Sequence, residues 1–179
     1  GKKSSMGAFL NYTDQQGIVL DTYSKRVNAK MTYDANPTEW LSTAVNLTVN
    51  HTWTHYTPED GGGQDARRTM IEMLPWLPVK DQNGKYTTSQ SVGSTMDYGF
   101  EAMTNPVAIL KGQTYGNYRT QLFGNAAFTF HLLDGLDLKT QFGVDYHHNR
   151  STYYSSRDLV NLSQGEQGRA SIGNSDVLY

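Results

Sequence analysis

The feature that most constrains the fold of this chain is a strict two-residue alternation of apolar and polar residues over long stretches. It runs through residues 27–35, 41–53, 118–132 and 136–146. Successive side chains of a β-strand point to opposite faces, so each stretch predicts a strand with one apolar and one polar face. Stretches of about ten residues or more exceed the common strand length of ~5–6 residues in globular proteins. We therefore expect an all-β fold built on an antiparallel, long-stranded sheet.

Two short turn signals join these strands into hairpins. Asn36-Pro37 separates the first two stretches, and Asp134-Gly135 separates the last two. Both pairs favour tight turns because their residues adopt the backbone angles that a chain reversal needs.

Strand patterns also approach both ends of the sequence. A weaker alternation covers residues 6–12, and the Gln-Gln-Gly sequence at 15–17 predicts a turn into a further strand at 18–20. Residues 174–179 resemble the start of another strand. Because both ends look cut, we expect the chain to be part of a longer polypeptide, with strands at about 6–56 and 117–150.

Between the two hairpins, at about residues 57–116, lies a long segment without a clear helical or strand period. It contains the sequence MLPWLPVKDQNGKY at 73–86, in which Asp-Gln-Asn-Gly at 81–84 predicts a turn. About sixty residues without regular structure are unusual inside a compact domain. We therefore predict a long loop that extends from a larger scaffold.

The composition argues against several classes of protein. The net charge of -2 argues against a nucleic-acid partner, which normally requires a basic face, and the absence of cysteine excludes disulfides and thiolate metal sites. Hydrophobic residues are only 37% of the chain, and the mean hydropathy is -0.61. The sequence contains no run of about 18 apolar residues, so no transmembrane helix is predicted. Few apolar residues in long strands indicate a sheet with one face in water.

Two architectures fit this description. An outer-membrane β-barrel has strands of roughly 10 residues, apolar outside and polar inside, with short turns at one end and long loops at the other. A soluble β-sandwich that binds carbohydrate has similar alternation, with its polar face outward. The charged residues at polar positions fit either architecture: Lys30, Asp34, Lys139 and Asp145. Strand length and loop asymmetry favour the barrel wall, with the short turns towards the periplasm and the segment 58–116 extracellular.

Several motifs occur in order along the chain. An aromatic residue, a glycine, a Lys-Arg pair and a Trp-Leu pair are found at Tyr12, Gly17, Lys25, Arg26, Trp40 and Leu41. Residues 75–84 read P-x-x-P-V-x-D-x-x-G, residues 105–108 read N-P-V-A, and residues 133–146 contain L-x-G-L followed by G-x-D-Y. In this order the motifs resemble barrel segments of SusC/RagA-type TonB-dependent transporters.

The resemblance implies a large barrel of about 22 strands, closed by an N-terminal plug, in the outer membrane of Bacteroidetes. It also implies a SusD-like surface lipoprotein as a lid, outer-membrane lipid around the barrel, and import of glycan fragments or peptides driven by the TonB complex. This chain contains no plug domain and no candidate TonB box, so the resemblance assigns energy coupling to none of its residues.

Catalytic and metal-binding patterns are weak. His51 and His55 are four residues apart, which brings two rings to one metal ion on a helix but not on a strand. Glu59, Asp65 and Glu72 lie near a Gly-Gly-Gly sequence that does not fix their geometry. We therefore predict no enzymatic activity, no metal ion and no cofactor.

The long loop supplies the candidate binding residues. Aromatic side chains offer flat apolar surfaces and amide or carboxylate groups offer hydrogen bonds, a mixture that suits sugars and peptides equally. The candidates for substrate binding or lid contact are Trp76, Gln82, Asn83, Tyr86, Asp97 and Tyr98. An alternative interpretation is that these residues only pack the loop against neighbouring loops.

Overall fold

A computed structural model describes residues 3–57, 66–88, 104–157, 159 and 168–179. Within these residues, six antiparallel strands form one sheet in chain order. The strands are β1 (Ser4–Gln16), β2 (Tyr23–Thr38), β3 (Leu41–Tyr56), β4 (Gln113–Leu133), β5 (Leu136–Ser155) and β6 (Arg169–Leu178). Two short helices, α1 (Ala66–Glu72) and α2 (Pro106–Gly112), lie between β3 and β4. The predicted all-β fold with an antiparallel, long-stranded sheet is confirmed.

The register of the sheet collects the apolar positions of β1 to β5 on one face, here called the apolar face. Val49 of β3 lies opposite Ala29 of β2 and Leu122 of β4, and Leu122 lies opposite Tyr146 of β5. The period-two alternation within each strand therefore becomes a continuous two-dimensional surface, because neighbouring strands pair in phase.

The opposite surface, here called the polar face, consists mainly of amide, hydroxyl and charged side chains. Asn50, the residue after Val49, lies opposite Asn28 and Gln121, and Gln121 lies opposite His147. Rows of this kind across four strands explain why so long a sheet needs so few apolar residues.

Large side chains on the apolar face remain exposed. Leu10 is 77% exposed, Phe142 65% and Leu47 36%. In the part of the chain that the structure describes, the main buried cluster joins the two helices, through Ala66, Ile109 and Leu110, rather than covering this face. The sheet is therefore a single layer over the described residues.

The two ends of the sheet differ in their connections. At one end, two-residue turns join β2 to β3 and β4 to β5. At the other end lie the β1–β2 turn, the segment that contains both helices, and the β5–β6 connection. The predicted turn at Asp134-Gly135 is confirmed, and Gly135 has the positive φ of 83° that favours glycine there.

The predicted turn at Asn36-Pro37 is wrong by a few residues. Strand β2 continues to Thr38, with an irregularity in its register between Ala35 and Thr38, and the chain reverses at residues 39–40. Proline is tolerated here because a residue in a β-bulge does not have to donate a backbone N–H to the neighbouring strand. Asn36 instead donates its backbone N–H to the carbonyl of Lys3 at 2.8 Å, which extends the contact with the neighbouring strand.

The predicted strand at residues 18–20 is wrong. These residues lie in a turn that is closed by a hydrogen bond of 2.9 Å from the Gly17 N–H to the Thr22 carbonyl. Val19 packs against the cluster of Ala66 and Ile109 between the helices. Tertiary packing, rather than strand pairing, therefore accounts for Val19, whereas Ile18 and Leu20 are exposed.

The described residues of the predicted loop at 57–116 contain regular structure at several places. Strand β4 begins at Gln113 instead of residue 117, because it pairs with an extended β5 as far as Ser155. The helices α1 and α2 lie within the predicted loop of 57–116. Neither helix is long and apolar enough to cross a lipid bilayer within the described residues.

Candidate functional site

The loop sequence quoted above contains a stable turn at Asp81. The Asp81 carboxylate accepts hydrogen bonds of 2.9 Å from the backbone N–H groups of Asn83 and Lys85. The Gly84 N–H donates to the Asp81 carbonyl at 3.0 Å, and Gly84 has a φ of 79°. The side chain of Asp81 thus replaces strand pairing for two N–H groups, as in an Asx turn. The predicted turn at 81–84 is confirmed.

Four of the six predicted loop candidates lie within the described residues: Trp76, Gln82, Asn83 and Tyr86. Gln82 and Asn83 are exposed at the tip of the turn, and Trp76 is 58% exposed. Tyr86 is half-buried beneath the ammonium group of Lys80, which lies 5.0 Å from its ring centroid. These four candidates share no hydrogen bond or ring contact in the described part of the chain. The remaining two, Asp97 and Tyr98, lie outside the described residues.

Asn105 fixes the position of this loop, a role that the sequence did not reveal. Its side chain is buried and donates to the carbonyl of Val79 at 3.3 Å and to the hydroxyl of Thr87 at 3.2 Å. Its own carbonyl oxygen accepts the N–H of Val107 at 3.0 Å and so caps helix α2, which has Pro106 at its first turn. One buried amide therefore attaches the turn-containing segment to a helix.

The same end of the sheet gathers the β1–β2 turn onto helix α2. The Lys111 ammonium lies 2.7 Å from the Asp21 carboxylate, and His55 Nδ1 contacts the backbone carbonyl of Asp21. Val19 adds apolar contact with the helix cluster. Among the described residues at this end, the β1–β2 turn and the two helices therefore form one joined surface.

A concave groove of about 600 Å³ lies on the polar face below this surface. Two guanidinium groups belong to it, from Arg26 on β2 and Arg119 on β4, and both residues lie opposite Thr52 on β3. The other lining residues are polar as well: Asn28, Asn50, Thr54, Asn117, Gln121 and Asn149. The sequence alone does not indicate this groove, although all nine residues occupy alternating strand positions.

Two amide oxygens of the groove lack a hydrogen-bond partner. The Oδ1 atoms of Asn117 and Asn149 are buried and accept no hydrogen bond within the described residues. A buried polar atom without a partner costs roughly 1–3 kcal/mol, so each oxygen has capacity for a donor from water or a ligand. The groove therefore contains two guanidinium cations and two amide oxygens that can accept a hydrogen bond.

Three tyrosines form a row on the polar face above the groove. Tyr115 lies opposite both Tyr56 and Tyr153, with ring centroids 5.8 Å and 4.7 Å away. Burial, together with the neighbouring Tyr153, raises the pKa of Tyr115 to about 12. The row gives the polar face an aromatic surface next to the long connections.

The described members of the weak metal and catalytic patterns, His51, His55 and Glu72, have other partners. His51 Nδ1 lies 2.7 Å from the Thr120 hydroxyl, and Glu72 pairs with Arg68 at 2.9 Å. Within the described ranges no group of three or more histidine or acidic side chains could hold a metal ion. Glu59 and Asp65 lie outside the described residues.

A scan against protein-family models and a search of curated proteins each found no match to this chain.

Proposed function

We propose that this chain is part of the wall of an outer-membrane β-barrel transporter of the SusC type, which imports glycan fragments or peptides. The single observation that best supports the proposal is the uncovered apolar face of a long single-layer sheet, opposite a face that is mainly polar. Water would fill the barrel on the polar side and lipid would surround it on the apolar side.

The height of the apolar face matches a bilayer. The span from the pair Leu41 and Phe130 to the pair Trp53 and Tyr118 covers about 12 residues along the strands. Its side chains are mainly apolar as far as Val49 and Leu122, and the next level towards Trp53 carries His51, Thr120 and His148. At ~3.4 Å per residue this span is about 41 Å along a strand, or about 31 Å across a membrane for a tilt of ~40°. The hydrocarbon core of a bilayer is about 30 Å thick.

Aromatic residues mark both limits of this band. Trp40 stacks on Phe130 at 6.1 Å near the short turns, and His51 contacts the ring of Trp53 at 4.2 Å towards the other end. Tyr118 lies opposite Trp53. Aromatic girdles at both interfaces are typical of outer-membrane barrels, since such rings favour the boundary between lipid and water.

The asymmetry of the connections supports an orientation. The short turns at residues 39–40 and 134–135 would face the periplasm, and the helices with the Asp81 turn would face outside. A SusD-like lipoprotein would bind over that outer surface, and the TonB complex would act through other parts of the protein. The chain's own residues would bind a solute and let it pass, without breaking a covalent bond.

Cysteine scanning tests this proposal, because the chain has no cysteine of its own. Single cysteines would be placed at each of positions 45–50 of β3 in the natural polypeptide, and outer membranes would be treated with a membrane-impermeant maleimide or a lipid-soluble one. We expect the impermeant reagent to label 46, 48 and 50, and the lipid-soluble reagent to label 45, 47 and 49.

The soluble β-sandwich alternative predicts a different labelling pattern. A second sheet would cover the apolar face, so positions 45, 47 and 49 would resist both reagents, and the protein would be found in the soluble fraction. That result would overturn the barrel proposal.

A further inference from the structure

We infer that the groove on the polar face binds the carboxylate of an acidic oligosaccharide through Arg26 and Arg119. The inference rests on the proposed function: in a water-filled barrel the groove would face the interior, and the acidic oligosaccharide would be the substrate that it binds. It does not involve the extracellular loop candidates.

The register brings the two arginines to one level of the sheet. Each lies opposite Thr52, so one strand separates Arg26 from Arg119 on the same face. Strands are spaced ~4.8 Å apart, so the two backbones are about 10 Å apart, and a carboxylate fits between guanidinium groups that extend from them. Planar guanidinium groups bind carboxylates with two parallel hydrogen bonds, which gives both strength and orientation.

Neither guanidinium group is neutralised by a protein carboxylate in the described part of the chain. The acidic residues with ion pairs belong to other contacts. On the polar face, Asp145 Oδ1 lies 3.0 Å from His147 Nε2 and accepts no hydrogen bond within the described residues. Two exposed arginines with no acidic partner leave a local positive charge on a chain whose net charge is -2.

The rest of the lining favours a sugar over a peptide. Every one of the nine lining residues is polar, so the groove offers no apolar residue against which an apolar peptide side chain could pack. The partnerless oxygens of Asn117 and Asn149 need donors, and Asn149 lies directly opposite Arg119 on the next strand. A sugar ring has hydroxyl donors close to its carboxylate, so a uronate can satisfy the arginines and the amide oxygens together.

Binding of trigalacturonate to the natural polypeptide in detergent tests the inference, with neutral galactotriose and triaspartate for comparison. We expect trigalacturonate to bind at least about tenfold more tightly than galactotriose, and Arg26→Gln or Arg119→Gln to abolish this preference. Arg150→Gln is the matched control, because Arg150 lies one strand from Arg119 but on the apolar face. Asn149→Ala should weaken binding of both sugars.

Salt provides a second measurement that needs no variant. Raising the salt concentration from about 0.05 M to about 0.5 M should weaken binding of trigalacturonate and leave galactotriose unchanged, since only the charged pair is screened. Equal binding of the two sugars, or an undiminished preference in Arg26→Gln and Arg119→Gln, would overturn the inference. Triaspartate that binds as tightly as trigalacturonate would overturn the assignment to a sugar. None of these results depends on whether the apolar face meets lipid, which the cysteine scan decides separately.

Discussion

Replacing Leu47 with arginine is the perturbation that best exposes the physical basis of the proposed barrel wall. Leu47 lies on β3 midway between Leu41 and Trp53, which mark the limits of the apolar band. It is therefore about 20 Å along the strand from either limit, close to the middle of a bilayer. An arginine on the lipid face at this depth costs about 2–4 kcal/mol. The ratio of folded to unfolded protein in lipid vesicles should fall roughly 30- to 900-fold.

The matched control is Asn46→Arg, one residue away at the same depth. Asn46 lies on the polar face opposite Thr32 and Asn125, so an added charge there meets water and neutral neighbours. Its cost should stay within about 0.5 kcal/mol. Both variants would be measured by urea titration of folding into lipid vesicles. Equal costs at the two positions, or folding of Leu47→Arg as stable as that of the unaltered protein, would refute the assignment of the two faces.

Three further predictions concern the end of the sheet that carries the long connections. Asn105→Ala should destabilise the attached loop by about 2 kcal/mol, because the substitution leaves buried hydrogen-bond partners unsatisfied. Hydrogen exchange at residues 78–88 should therefore accelerate. The control Asn83→Ala, at an exposed position, should change this exchange little. Val19→Ala should accelerate exchange in the 17–22 turn, since it removes about 1 kcal/mol of apolar contact with the helices. Lys111→Ala should lower the stability of the same turn by less than about 1 kcal/mol, because its ion pair with Asp21 is 44–48% exposed. Faster exchange in Lys111→Ala than in Val19→Ala would contradict this ranking.

The alternation within strands predicted the sheet because it depends only on the neighbours of each residue in sequence. Positions 27–35 and 41–53 keep one period, and the structure pairs them as expected. The same local pattern failed at Asn36-Pro37, where the strand continues through a bulge, and at residues 18–20, which form a turn in which Val19 packs against the helices. Bulges and tertiary contacts depend on partners that the local pattern does not contain.

The arginine groove was beyond sequence reasoning for a related reason. Arg26 and Arg119 are on strands far apart in the sequence. They lie at the same level of the sheet because both strands pair with β3 in a register that places each arginine opposite Thr52. A shift of one residue in either pairing would move an arginine to the other face. The role of Asn105 could not be predicted either. The N-P-V-A sequence indicated a motif, but not that the Asn105 side chain would bond to Val79 and Thr87 of the loop.

Depth-dependent quenching of a single tryptophan tests the central claim most directly. Trp40, Trp53 and Trp76 would be replaced by phenylalanine, and one tryptophan would be introduced at position 47 or at position 46 of the natural polypeptide. The protein would then be reconstituted in vesicles of lipids brominated near the bilayer centre. We predict strong quenching of the Leu47→Trp protein and weak quenching of the Asn46→Trp protein. Equal quenching, or a protein that stays in solution without binding vesicles, would contradict a barrel wall with lipid on its apolar face.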